Sequence, residues 1–219
     1  MTSSTTLLEA VNKVLLNVGE RSTNNLTLNP AARKATSYIQ EAYEDIQQYQ
    51  DWSWQRYVFT ATSWSGELAT FTNLKRINVV TWNNDVTRAV VPIVDVEQFY
   101  ATSQLTSFTD NANYPSFYAP YSHDTIAINP YPTDVTGRAR LNVIGYKLFD
   151  TPTTTTSTFA CPEEYVSTII KKATATMLQR HLGELNEARE LLNDFQTKLR
   201  YLLAKDAPIK NYTMYRRLI

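Results

Sequence analysis

His123 and Asp124 adjoin within the stretch NYPSFYAPYSHDTIAINPYPTD, the one place in the chain where a histidine and a carboxylate are neighbours. A charge relay needs a base, an orienting group and a nucleophile converging from a rigid frame. Neighbouring residues in a strand point to opposite faces, and no glycine-flanked serine elbow occurs anywhere in the chain. Ser122-His123-Asp124 has the composition of a turn between two β-like runs fenced by prolines, and the turn is the favoured reading.

The remaining reactive groups are scattered. His181 lies near the end of a helical pattern, with Glu184 three residues on. A zinc site would need a further ligand cluster, whereas a histidine near a helix C-terminus simply suits the free carbonyls and the dipole. Glycoside cleavage needs two carboxyls at a set separation. Glu163-Glu164 and Glu184-Glu187 are such pairs, but both stand where helix starts place carboxylates. Cys161 is the only cysteine, so one chain can form neither a disulfide nor a thiolate cluster. A lowered thiol pKa is conceivable beside Pro162 at a helix start. With no histidine placed as its partner, Cys161 is read as a small packing residue. No phosphate loop, EF-hand or CxxC motif is present. The expectation is no catalytic residues, no cofactor and no metal. A tail-associated muramidase using Glu163, Glu164, Glu184 or Glu187 stands as the enzymatic alternative.

The elements that would carry these residues follow a helix–sheet–helix order. Thr6 with Glu9 fits a capping box, and Leu7, Leu8, Val11, Val14, Leu15 and Val18 recur at helical spacing up to Gly19. Asn29-Pro30 starts a second helix, whose buried stripe is read as Ala35, Tyr38, Ile39, Ala42, Ile46 and Tyr49. From Trp52 the helical period disappears. Trp52, Trp54 and Tyr57 could stack on sugars or bases; the favoured reading makes them the joint between helices and sheet, with Tyr57 and Phe59 alternating inward. LKRINVVTW and VTRAVVPIV read as a hairpin turning at Asn83-Asn84-Asp85, VDVEQFYATSQL as a short helix, and PSFYAP, DTIAINP and RARLNVIGYKLF as further strands. Leu141, Val143 and Gly145 alternate in the last of these.

The threonine-rich DTPTTTTSTFACP reads as an extended link. Pro162, Glu163 and Glu164 open a third long helix with Val166, Ile169, Ile170, Ala173, Met177 and Leu178 on one face, stopped by Gly183. Leu185, Ala188, Leu192, Phe195, Leu199 and Leu202 form the seam of a fourth, widened by Leu191 and Leu203. The expected fold is α+β: an antiparallel helical bundle built from both chain ends, with an inserted antiparallel β module and an extended C-terminal tail. The segments are 1–51 (first helix pair), 52–150 (β insertion), 151–161 (link), 162–206 (second helix pair) and 207–219 (interaction tail). The tail carries Lys210, Arg216 and Arg217 with no acid, interleaved with Tyr212, Met214, Tyr215, Leu218 and Ile219. It either packs back on its own helices or docks on another chain; docking is favoured because aromatic and arginine side chains dominate interface hot spots.

Composition narrows the partners. A formal net charge of +0 and a pI near 6.7 supply no field for holding nucleic acid. DNA could still pass through a neutral lumen ungripped. Hydrophobic residues at 43% against 19% charged describe a globular chain. No basic leader and no apolar stretch of membrane-spanning length is seen, so a soluble protein made in a cytoplasm is expected, without membrane insertion.

The order of segments carries a resemblance. AVNKVLLNVGE, the helix ending in a tryptophan pair at Trp52 and Trp54, the middle PSFYAPYSHDTIAINPYP with LNVIGYK, and the return CPEEYVSTIIKKATATMLQRHLGELNEARELLNDF together resemble the head-to-tail adaptors of short-tailed bacteriophages, the tail tubular protein A-like connectors. The likeness spans most of residues 7 to 205. It implies a virion structural protein at the head–tail junction, made in the host cytoplasm. It also implies a dodecameric ring of identical copies, bound to the portal protein on one side and the tail nozzle protein on the other, with DNA passing through without sequence recognition. On that resemblance Tyr212, Tyr215, Arg216, Arg217, Leu218 and Ile219 face the portal. A peripheral tail or receptor-binding protein is the non-enzymatic alternative.

Overall fold

The computed structural model describes residues 3–83, 88–102, 105–108 and 115–206. The tail 207–219 and the turn residues Asn84 and Asp85 lie outside the described residues. Six α-helices and two four-stranded antiparallel sheets make the fold mixed α and β among those residues. They divide into two compact units, 3–54 with 150–206, and 55–149.

The first unit is helical. Helix α1 (Leu7–Asn17) opens with the capping box intact: the Thr6 hydroxyl accepts from Glu9 N, and the Glu9 carboxylate accepts from Thr6 N at 2.7 Å. Helix α2 (Pro30–Tyr49) is capped by Asn29, whose side chain accepts from Ala31 N at 2.8 Å. Helix α5 (Glu163–Met177) passes into a π turn (Leu178–Leu182) that ends at Gly183, and helix α6 (Leu185–Asp206) follows. Gly183 has φ +76°, the left-handed conformation that suits glycine at a helix C-terminus. Helix α5 packs against α1, α2 and α6, and α1 packs on α2. Their stripes meet in one apolar core containing Leu7, Val14, Ile39, Ile46, Val166, Ile169, Met177 and Leu202.

Two expectations for this unit are corrected. Tyr49, at stripe spacing three residues after Ile46, is 59% exposed, and Tyr43 is the tyrosine buried in the core instead. On α6 the seam residues Ala188, Phe195, Leu199 and Leu202 are buried and Leu192 is half-buried, but Leu185 lies exposed at the start. Helix α6 has no earlier turn of its own to cover that end.

Residues 151–161 do more than link. Thr158 bridges Thr6 in antiparallel fashion, Ser3 N donates to Phe159 O at 3.1 Å, and Leu7 N donates to Ser157 O at 2.8 Å. The last of these satisfies one of the orphan donors at the start of α1. Phe159 and Cys161 are wholly buried, and Phe159 meets Tyr43 edge-on at 5.5 Å between centroids.

The second unit is the β unit. Strands β1 (Arg56–Phe59), β4 (Leu74–Asn83), β5 (Arg88–Val91) and β10 (Leu141–Lys147) form one sheet in the order β1-β10-β4-β5. Strands β2 (Ser63–Ser65), β3 (Leu68–Thr70), β7 (Phe117–Pro120) and β8 (Thr125–Asn129) form the other, in the order β2-β3-β8-β7. Side chains from both sheets, among them Phe59, Leu74, Trp82, Ile126 and Val143, share one core. The β4–β5 hairpin exists, with Asn83 paired to Arg88 at its end, so Asn83 is the last ladder residue and not part of the turn.

Helix α3 (Val96–Thr102) is the expected short helix. Strands β6 (Ser107–Phe108) and β9 (Tyr131–Pro132) add a small parallel pair. Helix α4 (Val135–Ala139) was not anticipated; Asp134 caps it by accepting from Gly137 N at 3.1 Å. Leu141, Val143 and Gly145 alternate inward as read, and the register with β4 shifts after Ile144. Gly145 is required there. A Cβ at that position would lie 2.4 Å from the Arg76 carbonyl oxygen, closer than any side chain tolerates. Tyr57 departs from the expected alternation: it is 46% exposed while Phe59 is buried. The Lys147 ammonium lies 4.6 Å from the centre of the Tyr57 ring, so the ring serves a surface cation.

Candidate functional site

The residues singled out for chemistry are held in separate structural contacts. Ser122-His123-Asp124 is the turn between β7 and β8. Tyr121 N and Ser122 N donate to Thr125 O at 3.0 and 3.1 Å. The Asp124 carboxylate accepts from the Ser122 and Thr125 hydroxyls, both at 3.1 Å, so it organises the turn and orients no imidazole. His123 is exposed.

His181 sits in the π turn with Nδ1 2.8 Å from Lys34 Nζ, at the surface. Among the described residues no three His, Cys, Asp or Glu side chains gather as metal ligands.

The carboxylate pairs separate into different roles. Glu163, in the first turn of α5, accepts from the Ser3 and Thr5 hydroxyls and fastens the N-terminal arm to that helix end. These hydroxyl donations, Ser3 first, hold its pKa below the usual carboxylate value. A general acid for glycoside cleavage needs the opposite shift. Its neighbour Glu164 accepts from Lys205 Nζ at 2.6 and 2.9 Å, tying α5 to the end of α6 and raising the Lys205 pKa. Glu184 and Glu187 are exposed at the start of α6.

Cys161 is packed, as its composition-level reading held. Burial pushes its thiol up to about 12, reversing the conceivable lowering at a helix start. Pro162 supplies the cap position, and the sulfur faces the core instead of the helix amides.

The aromatic patch divides between the units. Trp52 is wholly buried in the helical core and meets Tyr165 edge-on at 5.0 Å; Trp54 meets the same ring at 5.8 Å. Neither indole is laid open as a stacking platform. The six tail residues Tyr212, Tyr215, Arg216, Arg217, Leu218 and Ile219 lie outside the described residues.

A surface that sequence reasoning missed lies between α2 and α6, both of which rest on α5. Tyr49, Phe195, Gln196, Leu199 and Arg200 line one hollow, and Asp45, Ile46, Tyr49, Lys172, Phe195 and Leu199 line an adjoining one. The signal was present in the stripe of α2, which continues to Tyr49 beyond its last buried residues.

No helix among the described residues is long and apolar enough to cross a membrane. A comparison with curated proteins finds no match. The family model described as SU10 adaptor protein matches residues 5–214, which takes in the helical unit and the β unit alike. The chain belongs to the SU10 adaptor protein family, a family of phage structural adaptors.

Proposed function

We propose that this chain is a head-to-tail adaptor of the tail tubular protein A-like kind from a short-tailed phage, forming a dodecameric ring between the portal protein and the tail nozzle protein. The observation that carries the reading is the adaptor-family match over residues 5–214. The ring stands at the head–tail junction of the virion and lines the channel through which the genome is ejected; the protein is made in the host cytoplasm. It carries no catalytic step.

Physical features support this reading. On this reading residues 1–51 and 162–206 act as an antiparallel bundle, joined through 151–161, and residues 52–150 are the β module. A subunit repeated about an axis makes heterologous contacts that close into a ring. A net charge of +0 suits a channel that passes DNA without gripping it. The tail, 207–219, meets the portal through Tyr212, Tyr215, Arg216, Arg217, Leu218 and Ile219, residue types that anchor interfaces.

Deleting residues 207–219 tests the tail assignment. The expected product is a folded, largely monomeric protein that no longer binds portal; unchanged portal binding refutes the assignment. Electron microscopy of intact particles tests the ring itself, through the position and copy number of this chain.

A further inference from the structure

We propose that the sheet β1-β10-β4-β5 continues from copy to copy, the β5 edge of one chain pairing with the β1 edge of the next. On the ring reading, which this pairing rests on, it is the joint between neighbouring subunits. An outer strand offers a row of unpaired N–H and C=O groups, and soluble proteins cover or blunt such edges. The β2-β3-β8-β7 sheet does so. Along its β7 edge Tyr118 N donates to Pro92 O and Val94 N donates to Tyr118 O, both at 2.9 Å. Its other edge strand, β2, has only three residues.

The β1-β10-β4-β5 sheet is open on both sides. Among the described residues no backbone hydrogen bond joins β1 or β5 to anything outside that sheet. Each edge also presents a β-branched apolar side chain to solvent: Val58 is 54% exposed on β1, and Val90 is 65% exposed on β5.

The two edges fit each other. Both strands are four residues long. Every pairing in the sheet is antiparallel, so β1 and β5 run in opposite senses. A copy moved sideways without being turned over therefore brings its β1 antiparallel to β5, and the alternation continues unbroken. The faces match as well. Phe59 and Val91 are both buried in the shared core, so Val58 and Val90 stand on the opposite face. Setting Val90 opposite Val58 keeps every side chain on its own face and places Val91 opposite Tyr57, an aromatic against a β-branched residue. A shift of two residues would set Val90 against Arg56 instead. The occupant is a further copy in the same orientation because a β1–β1 or β5–β5 contact about a twofold stops at two chains and leaves the other edge open, whereas β5-to-β1 contact uses both edges and repeats. A pair of such short strands holds weakly alone, and linked around a ring the pairs act together.

The test is disulfide trapping between two forms of the full chain. One carries Val58→Cys; the other carries Val90→Cys and a tag that shifts it on a non-reducing gel. Both positions are exposed, so the replacements spare the core, and circular dichroism checks this. Cys161 is buried, and the unsubstituted chain gives its background. The reference mixture pairs Val90→Cys with Tyr57→Cys, whose side chain lies on the other face of β1.

After mild oxidation of the concentrated mixture, the 58–90 heterodimer should exceed either homodimer by about tenfold, equivalent to about 1.4 kcal/mol, and the 57–90 heterodimer should not. Heterodimer in the statistical ratio of random collision overturns the proposal. A 58–58 or 90–90 homodimer as the main product overturns it too, because the edges then meet about a twofold, and so does equal trapping at 57–90. The ring is read separately, from the copy number in micrographs of intact particles. A ring without the 58–90 excess sinks the edge pairing alone; the excess without a ring sinks the ring and leaves the pairing standing.

Discussion

Replacing Phe159 by alanine removes the side chain through which the threonine-rich segment enters the helical core. Phe159 is 0% exposed and meets Tyr43 edge-on at 5.5 Å. Its surroundings come from helices on both sides of the β unit in sequence, so collapse around a cavity requires several elements to move together. Full burial with little room to relax places the cost at about 3–5 kcal/mol, toward the upper end because an edge-on aromatic pair is lost as well. Against a stability of about 5–15 kcal/mol for an ordinary domain, that is a large fraction. With a urea slope of about 2 kcal/mol per molar, the midpoint falls by roughly 2 M. The assay is urea unfolding followed by the helical circular dichroism signal, which reports the helical unit. Tryptophan emission is less selective, because Trp52 and Trp54 lie in one unit and Trp64 and Trp82 in the other. A loss below about 1 kcal/mol refutes the reasoning, because residues 151–161 would then be a link and not part of the core.

Three further outcomes follow from the same structure. Gly145→Ala forces a Cβ against the Arg76 carbonyl and the Leu74 side chain; it should destabilise the β unit by about 1–3 kcal/mol in thermal unfolding followed at β-sheet wavelengths, and an unchanged melting curve argues against the close approach. Glu163 has a folded pKa below its ordinary value of 4.5 because Ser3 and Thr5 donate to the ionised form. Its contribution is therefore present above the unfolded value and lost as pH falls through the lower folded one. The stability gap between the native chain and Glu163→Gln should stay flat from about pH 7 to pH 5 and narrow below that; a gap that widens on acidification contradicts it. Cys161, buried with its thiol pushed up to about 12, should react with a disulfide reagent at pH 8 only after denaturant is added; prompt labelling of the native chain would show an accessible thiolate.

The sequence carried the helices well because their evidence is local. The Thr6–Glu9 box and the Asn29-Pro30 start depend on residues within one turn, and both caps form. The period of α1 and α5 identifies buried positions because each helix is covered along its length. Where burial depends on what lies opposite, periodicity fails: Tyr49 and Leu185 have stripe spacing but no helix over them. Phe159 lacked any periodic context, and threonine-rich composition masked it as linker, whereas Cys161 is the packing residue it was read as. The burial of Phe159 goes with the pairing of Thr158 to Thr6, a contact 152 residues apart in sequence that no window detects. Helix α4 was overlooked although Asp134 three residues before Gly137 is a legible cap. Of the candidate chemistry, Ser122-His123-Asp124 was legible as a turn from its composition. The roles of Glu163 and Glu164 were not, because Ser3, Thr5 and Lys205 reach them only in three dimensions.

The division of the helical unit between the two ends of the chain has a consequence during synthesis. Helices α1 and α2 leave the ribosome with apolar stripes whose cover, α5, has not been translated. The 95 residues from Gln55 to Phe149 must be made first, which takes about 5–20 s at ordinary elongation rates. For that interval the early helices are a ready target for chaperones or for one another on neighbouring ribosomes. The β unit, contiguous in sequence, is free to complete itself while they wait.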